Sequence, residues 1–150
     1  MTIEEILERD GHLAYPNKGV SMMPLLRQDR DLMLIEKRGP ERCHKLDAVL
    51  FRRPGVVGHG AYVLHRILRV NDDGTYWIIG DNCFSGETVA EENVLGILTG
   101  IVRDGKTITI SNPWYRLYVN TWCRWVHFRA AILRVRHLGG NILRKLHLLK

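Results

Sequence analysis

Apolar and polar residues alternate along most of this chain with the period of a half-buried strand. Short runs of this kind occur at DLMLIEK (31–37), DAVLFRR (47–53), AYVLHRILRV (61–70), TYWIIG (75–80), NVLGILTGIV (93–102) and KTITIS (106–111). Clusters of Gly, Pro, Asn and Asp separate them, so the pattern predicts a mainly β, antiparallel body. RVNDDGTYW and VRDGKTI carry the turn residues of hairpins. The first ten residues break the alternation. In TIEEILERDG, Thr2 and Glu5 are spaced as a capping box, Ile3, Ile6 and Leu7 share one face, and Gly11 is a stop, which predicts a short N-terminal helix.

Beyond Pro113 the period lengthens. Trp114, Leu117, Tyr118, Trp125, Phe128, Ile132 and Val135 fall near one helical face, with Arg129 and Arg136 at its edge, and LGG (138–140) predicts a break before NILRKLHLLK. The expected organisation is a β domain over 1–112 followed by a helical tail over 113–150. Charge sharpens that division. The tail has eight Lys or Arg and no acid, whereas residues 1–112 hold 14 basic against 16 acidic residues, so the net +6 of the chain resides in the tail. Two readings of the tail stand side by side: a face that packs on the β body or a partner protein, and an interfacial helix meeting a membrane surface through tryptophans and arginines. Nucleic-acid binding is disfavoured, because no helix-turn-helix or RNA-binding aromatic motif accompanies the charge.

At 150 residues, with 45% apolar and 25% charged positions, the chain fits one hydrophobic core. Three widely spaced cysteines (Cys43, Cys83, Cys123) argue against a disulfide framework and for a reducing compartment. The acidic N-terminus lacks the features of an export signal, and no apolar window is long enough to span a bilayer, so the expectation is a cytoplasmic protein, at most peripheral on the membrane's cytoplasmic face. Cys43, His44, His59, His65 and Cys83 match no standard zinc spacing, and neither a metal nor another cofactor is expected.

The candidate chemistry lies in GVSMMPLL (19–26). A serine between Val20 and two methionines, with Pro24 close behind, suits an exposed hydroxyl on a constrained turn better than a strand or helix. A serine becomes nucleophilic only beside a base. His65 is the best placed of the seven histidines: alternation puts it with Val63 and Ile67, while Leu64, Arg66 and Leu68 point the other way, so His65 and Arg66 serve different faces. A strand histidine is also a common core residue, and Asp81 in a G-D-N turn is also a common self-capping residue, so the pattern alone leaves both roles open.

GVSMMP, RDLMLIEK, LDAVLFRRP, YVLHRILRV, IIGDN and VAEENVLGILTGI, in that order, resemble the boxes of the type I signal peptidase family, nearest its archaeal and endoplasmic reticulum branch. The resemblance runs from Gly19 to Ile101. It implies a serine endopeptidase that removes a leader or signal-like segment from a peptide or protein. Ser21 would be nucleophile, His65 general base and Asp81 the acid that orients it. Ser21 N–H would serve the oxyanion, and Gly19 would let backbone approach closely without supplying a side-chain donor. Glu87 stands where relatives often carry a second aspartate and would be a candidate accessory acid. Asp31 and Asp47 read as structural turn residues. A histidine base places the acidic limb of activity in the neutral to mildly acidic range. LexA-like repressors share the broad fold but use lysine and need a DNA-binding domain ahead of the serine. The alternative from another class is a noncatalytic β module that binds a peptide, a membrane surface or a partner.

Overall fold

A computed structural model describes the backbone of residues 2–58 and 60–147, and the side chains of these up to residue 139. Helix α1 (Ile3–Asp10) is closed at both ends as the sequence requires. Thr2 and Glu5 form the reciprocal capping box, and Gly11, at φ 74°, returns its N–H to the Leu7 carbonyl. Ile3 and Leu7 are buried against the sheet.

Eight strands follow: β1 (His12–Pro16), β2 (Leu32–Lys37), β3 (Ala48–Arg52), β4 (Tyr62–Val70), β5 (Thr75–Ile79), β6 (Glu87–Ala90), β7 (Val94–Arg103) and β8 (Lys106–Thr109). They form one antiparallel sheet in the order β1-β2-β7-β3-β4-β5-β6, with β8 hydrogen-bonded to β7. The β7–β8 turn places Asp104 and Gly105 at φ 49° and 73°, the left-handed pair that a tight hairpin needs. β1 and β6, absent from the expected strands, are the two edges of the main path.

The sheet buries both faces along β3, where Ala48 and Leu50 join one core and Val49 and Phe51 the other. The first core gathers Ile3 and Leu7 of α1 with Met22, Leu26, Leu64 and Leu98; the second gathers Ile67, Tyr76, Ile78 and Val89. Asp31 ends the loop before β2 as a structural knot, bonded by Arg30, by Arg103 and by the Arg27 N–H. Asp47 accepts the His44 N–H at 2.7 Å across its own turn.

The helical segment begins at Pro113, the first residue of α2 (Pro113–Tyr118), under an Asn112 cap. It widens to i→i+5 bonding over Val119–Cys123, and resumes as α3 (Val126–His147). The break therefore falls at residues 124 and 125 rather than at LGG, through which α3 continues. A helical glycine costs only about 1 kcal/mol against alanine, whereas Trp122 and Cys123 are drawn onto the β body, Trp122 donating its indole N–H to the Asp81 carbonyl at 3.0 Å. The anticipated apolar face is also turned around: Trp125, Phe128 and Val135 point outward, and Arg129, expected at an edge, is buried to 1% exposure.

Candidate active site

The turn that carries Ser21 is fixed by what flanks it. Met22 and Leu26 insert into the first core, 2% and 0% exposed, and Leu26 N–H closes on the Met22 carbonyl. Just ahead of those anchors Ser21 is left half-buried on the wall of a cavity of about 480 Å³. Gly19 sits at φ 111°, a conformation that residues with a Cβ rarely adopt. No heavy atom lies within 4 Å of where its Cβ would stand, so backbone approach, the expected reason for this glycine, is replaced by conformational need. Asn17, 6% exposed, donates its side-chain N–H to the Gly19 carbonyl at 3.1 Å, and Asn82 grips the next residues: its N–H reaches the Ser21 carbonyl at 2.7 Å and its amide the Val20 carbonyl at 3.1 Å. Among the described residues no acceptor takes the Ser21 N–H.

His65 lines the same cavity. Its Nε2 and the Ser21 carbonyl converge on Gly80: a Cβ there would stand 3.1 Å from Nε2, 2.6 Å from the carbonyl oxygen and 2.8 Å from Cys83 Sγ. Backbone cannot yield at 2.6 Å as a flexible side chain can, so the missing side chain of Gly80 is what lets the serine turn, the imidazole and the thiol meet. Sequence reasoning passed over Gly80 as part of a turn motif; no periodic signal distinguishes it.

The other imidazole nitrogen meets a carboxylate, and it is not the expected one. Glu87 Oε1 lies 3.5 Å from His65 Nδ1, too long for a formed hydrogen bond, so Nδ1 has no hydrogen-bond partner. Arg53 holds that carboxylate in a fork, Nε at 3.0 Å and Nη2 at 2.5 Å. Asp81 is committed elsewhere. Arg66 Nε and Nη2 reach its two oxygens at 2.9 and 2.7 Å, Tyr118 O–H donates at 2.9 Å, and Arg129 Nη1 stands 3.8 Å away. The physical reason is strand parity: His65 and Arg66 point to opposite faces of β4, and Asp81 turns to the arginine's face. Asp81, expected to orient His65, is thus engaged by Arg66 and Tyr118 instead, and the carboxylate facing His65 Nδ1 is that of Glu87.

Burial pushes the His65 pKa below its ordinary value; Glu87 opposes the shift, Arg53 adds to it, and Asp81 opposes it. A depressed pKa leaves the imidazole neutral, and able to accept a proton, at neutral pH. Burial would raise the Asp81 pKa, but Arg66, Tyr118 and Arg129 outweigh it and hold the carboxyl below its usual range. Burial raises the Cys83 thiol, with Arg129 opposing.

Of the residues weighed as metal ligands, Cys43 is buried with its N–H on the Tyr76 hydroxyl, His44 is exposed, and His59 lies outside the described residues. Among the described residues no group of three His, Cys, Asp or Glu is arranged to hold a metal ion. Comparison with family models, with curated proteins and with solved structures gives no match to this chain.

Proposed function

We propose that the chain is a serine endopeptidase of signal-peptidase type, removing a leader or signal-like segment from a peptide or protein. The observation that carries the reading is the convergence of the Ser21 turn and His65 Nε2 over the bare Gly80, inside one open cavity, with Glu87 facing the other imidazole nitrogen. Ser21 and His65, 44 positions apart in sequence, line the same cavity, and the Ser21 carbonyl and His65 Nε2 border the same glycine, which supports reading them as a nucleophile and its base.

In this reading the neutral His65 accepts the Ser21 proton at Nε2 as Oγ attacks the scissile carbonyl carbon. Its Nδ1–H faces Glu87, whose negative charge stabilises the imidazolium. The free Ser21 N–H stabilises the oxyanion. The C–N bond then breaks, and His65 returns its proton to the departing amine. Water, deprotonated by His65, attacks the acyl carbon, and the serine leaves with the proton. Contacts between histidine and carboxylate are often long before substrate binds, so the 3.5 Å separation is compatible with a working pair that tightens on closure.

The test compares peptides and protein N-termini in cells carrying the wild-type chain with those carrying Ser21→Ala, then repeats the cut with purified protein. The wild type should generate N-termini that the variant, folded by circular dichroism, makes at least about 10³-fold more slowly. Equal cutting by both would sink the peptidase and leave a binding module.

A further inference from the structure

An amphipathic helix on a globular body ordinarily turns its apolar stripe inward. α3 does the reverse. Its inner face offers Leu133 and the guanidinium of Arg129, drawn in beside Asp81, while Phe128, Val135 and Leu138 stand on the opposite face and are 61–68% exposed. Trp125, just before α3, and Trp114, on α2, are 65% and 77% exposed. Spacings of seven and three keep Phe128, Val135 and Leu138 on one side of α3, with Trp125 just ahead of its start. Scattered exposed apolar residues are normal on any protein; an aligned row of large ones calls for an apolar medium.

The charge around that row says which medium. Arg124, Arg134 and Arg136 are all exposed around it, Arg116 is exposed beside Trp114, and no Asp or Glu occurs anywhere in residues 113–150. A second copy of this chain would bring a like-charged face against it. An anionic lipid surface brings the opposite charge over a wide area, an apolar layer for the phenylalanine and aliphatic side chains, and the headgroup region that indoles favour. No helix among the described residues is long and apolar enough to cross a membrane, so the contact would be a lying-down one.

We propose that the outward face of α3, with the exposed indoles of Trp114 and Trp125, is a docking surface for an anionic lipid bilayer. The inner face of the helical segment keeps it on the β body while the outer face engages lipid: Tyr118, Trp122 and Arg129 all converge on Asp81, so docking needs no unfolding of the segment. α3 itself also passes near the cavity. His137 of α3 lies with its ring 6.3 Å from that of Phe84, the neighbour of the cavity-lining Cys83. The proposal stands on exposure and charge alone and does not depend on the peptidase reading.

The experiment is flotation of the full chain with phosphatidylglycerol–phosphatidylcholine vesicles and with vesicles of phosphatidylcholine alone. The expected result is flotation with the anionic vesicles, a blue shift of tryptophan emission, and a loss of about tenfold or more in partitioning between 0.05 and 0.5 M salt. The triple variant Trp125→Ser/Phe128→Ser/Val135→Ser, at exposed positions that fold does not require, should lose flotation while keeping the wild-type circular dichroism. Arg134→Glu/Arg136→Glu should lose it at low salt. Absence of wild-type flotation on anionic vesicles at low salt overturns the proposal, and that measurement needs no variant. So does flotation undiminished in both variants, or a concentration-dependent dimer that the triple variant abolishes, which would make the occupant a second copy.

Discussion

His65 and Arg66 are neighbours on β4, and each faces a carboxylate paired with arginine, yet the two arrangements differ in almost every physical respect. On one face Glu87 is paired with Arg53 and faces His65, both of which line an open cavity, with the glutamate and Arg53 side chains 33% and 37% exposed. On the other, Asp81 and Arg66 are fully buried, the guanidinium stacked 5.9 and 6.0 Å from the rings of Tyr115 and Tyr118 and bonded also to the Leu46 carbonyl. A solvent-accessible pair tunes charge at little cost in stability. A buried one locks structure, because losing either partner strands a charge in a medium that cannot solvate it. Two carboxylate–cation arrangements thus flank one strand, one that acts in the proposed peptidase and one that holds the fold.

The largest effect is expected where the holding pair is broken. Arg66→Met should destabilise the fold by about 3–5 kcal/mol, read as a lowered urea midpoint, because Asp81 is left buried with Tyr118 and a guanidinium 3.8 Å away. Activity should fall with it, since Asn82, the residue after Asp81, holds the Ser21 turn. If Arg66→Met instead left stability untouched, the contrast between a holding and an acting pair would dissolve.

Glu87→Gln is the corresponding change on the acting side. Stability should move by less than about 1 kcal/mol, whereas kcat/KM should fall about 10- to 100-fold. The pH profile separates this from a structural role. Removing the glutamate's charge removes a support for the imidazolium, so the His65 pKa drops further and the acidic limb moves to lower pH. Arg53→Gln has the opposite sign: it deletes a cation that disfavours the imidazolium, and the limb moves to higher pH. The charged or titratable groups set around His65 are Glu87 on β6, Arg53 after β3, and Asp81 and Cys83 in the β5–β6 loop. A limb that stays in place in both variants would remove Glu87 and Arg53 from the mechanism.

Much of this molecule could be read from its sequence, and what could not has specific causes. Six strands and α1 with its caps follow from alternation and capping chemistry, which are local. β1 (His12–Pro16) and β6 (Glu87–Ala90) escaped because edge strands are short and half-exposed, so their alternation is faint. The resemblance singles out Glu87, but with β6 missed nothing local places it against His65 Nδ1: its strand pairs with β5, Ile78 opposite Glu87. Strand parity did separate His65 from Arg66, but nothing local says which of them Asp81 turns to. In the tail, periodicity found the stripe and not its direction. Its direction goes with the burial of Arg129 beside Asp81, a contact between residues 48 positions apart that no local pattern announces.

The smallest effect concerns acid, and it tests the two pairs in one titration. His65 has its pKa lowered on folding, so between the folded value and the unfolded value near 6.5 the unfolded chain binds more protons. Its linkage therefore costs stability as pH falls from about 6.5, and the loss is complete once the folded value is passed. Asp81 also has a lowered pKa, but as a carboxylate its contribution is present above 3.8 and is lost only as pH falls from there through the folded value. Urea midpoints of the wild type should begin to decline in mildly acidic solution and decline again in strong acid. His65→Gln should remove the first step and keep the second, because glutamine takes no proton in that range. If the first decline persisted in His65→Gln, it would belong to another group, and the imidazole would not be the neutral, desolvated base that the cavity wall implies.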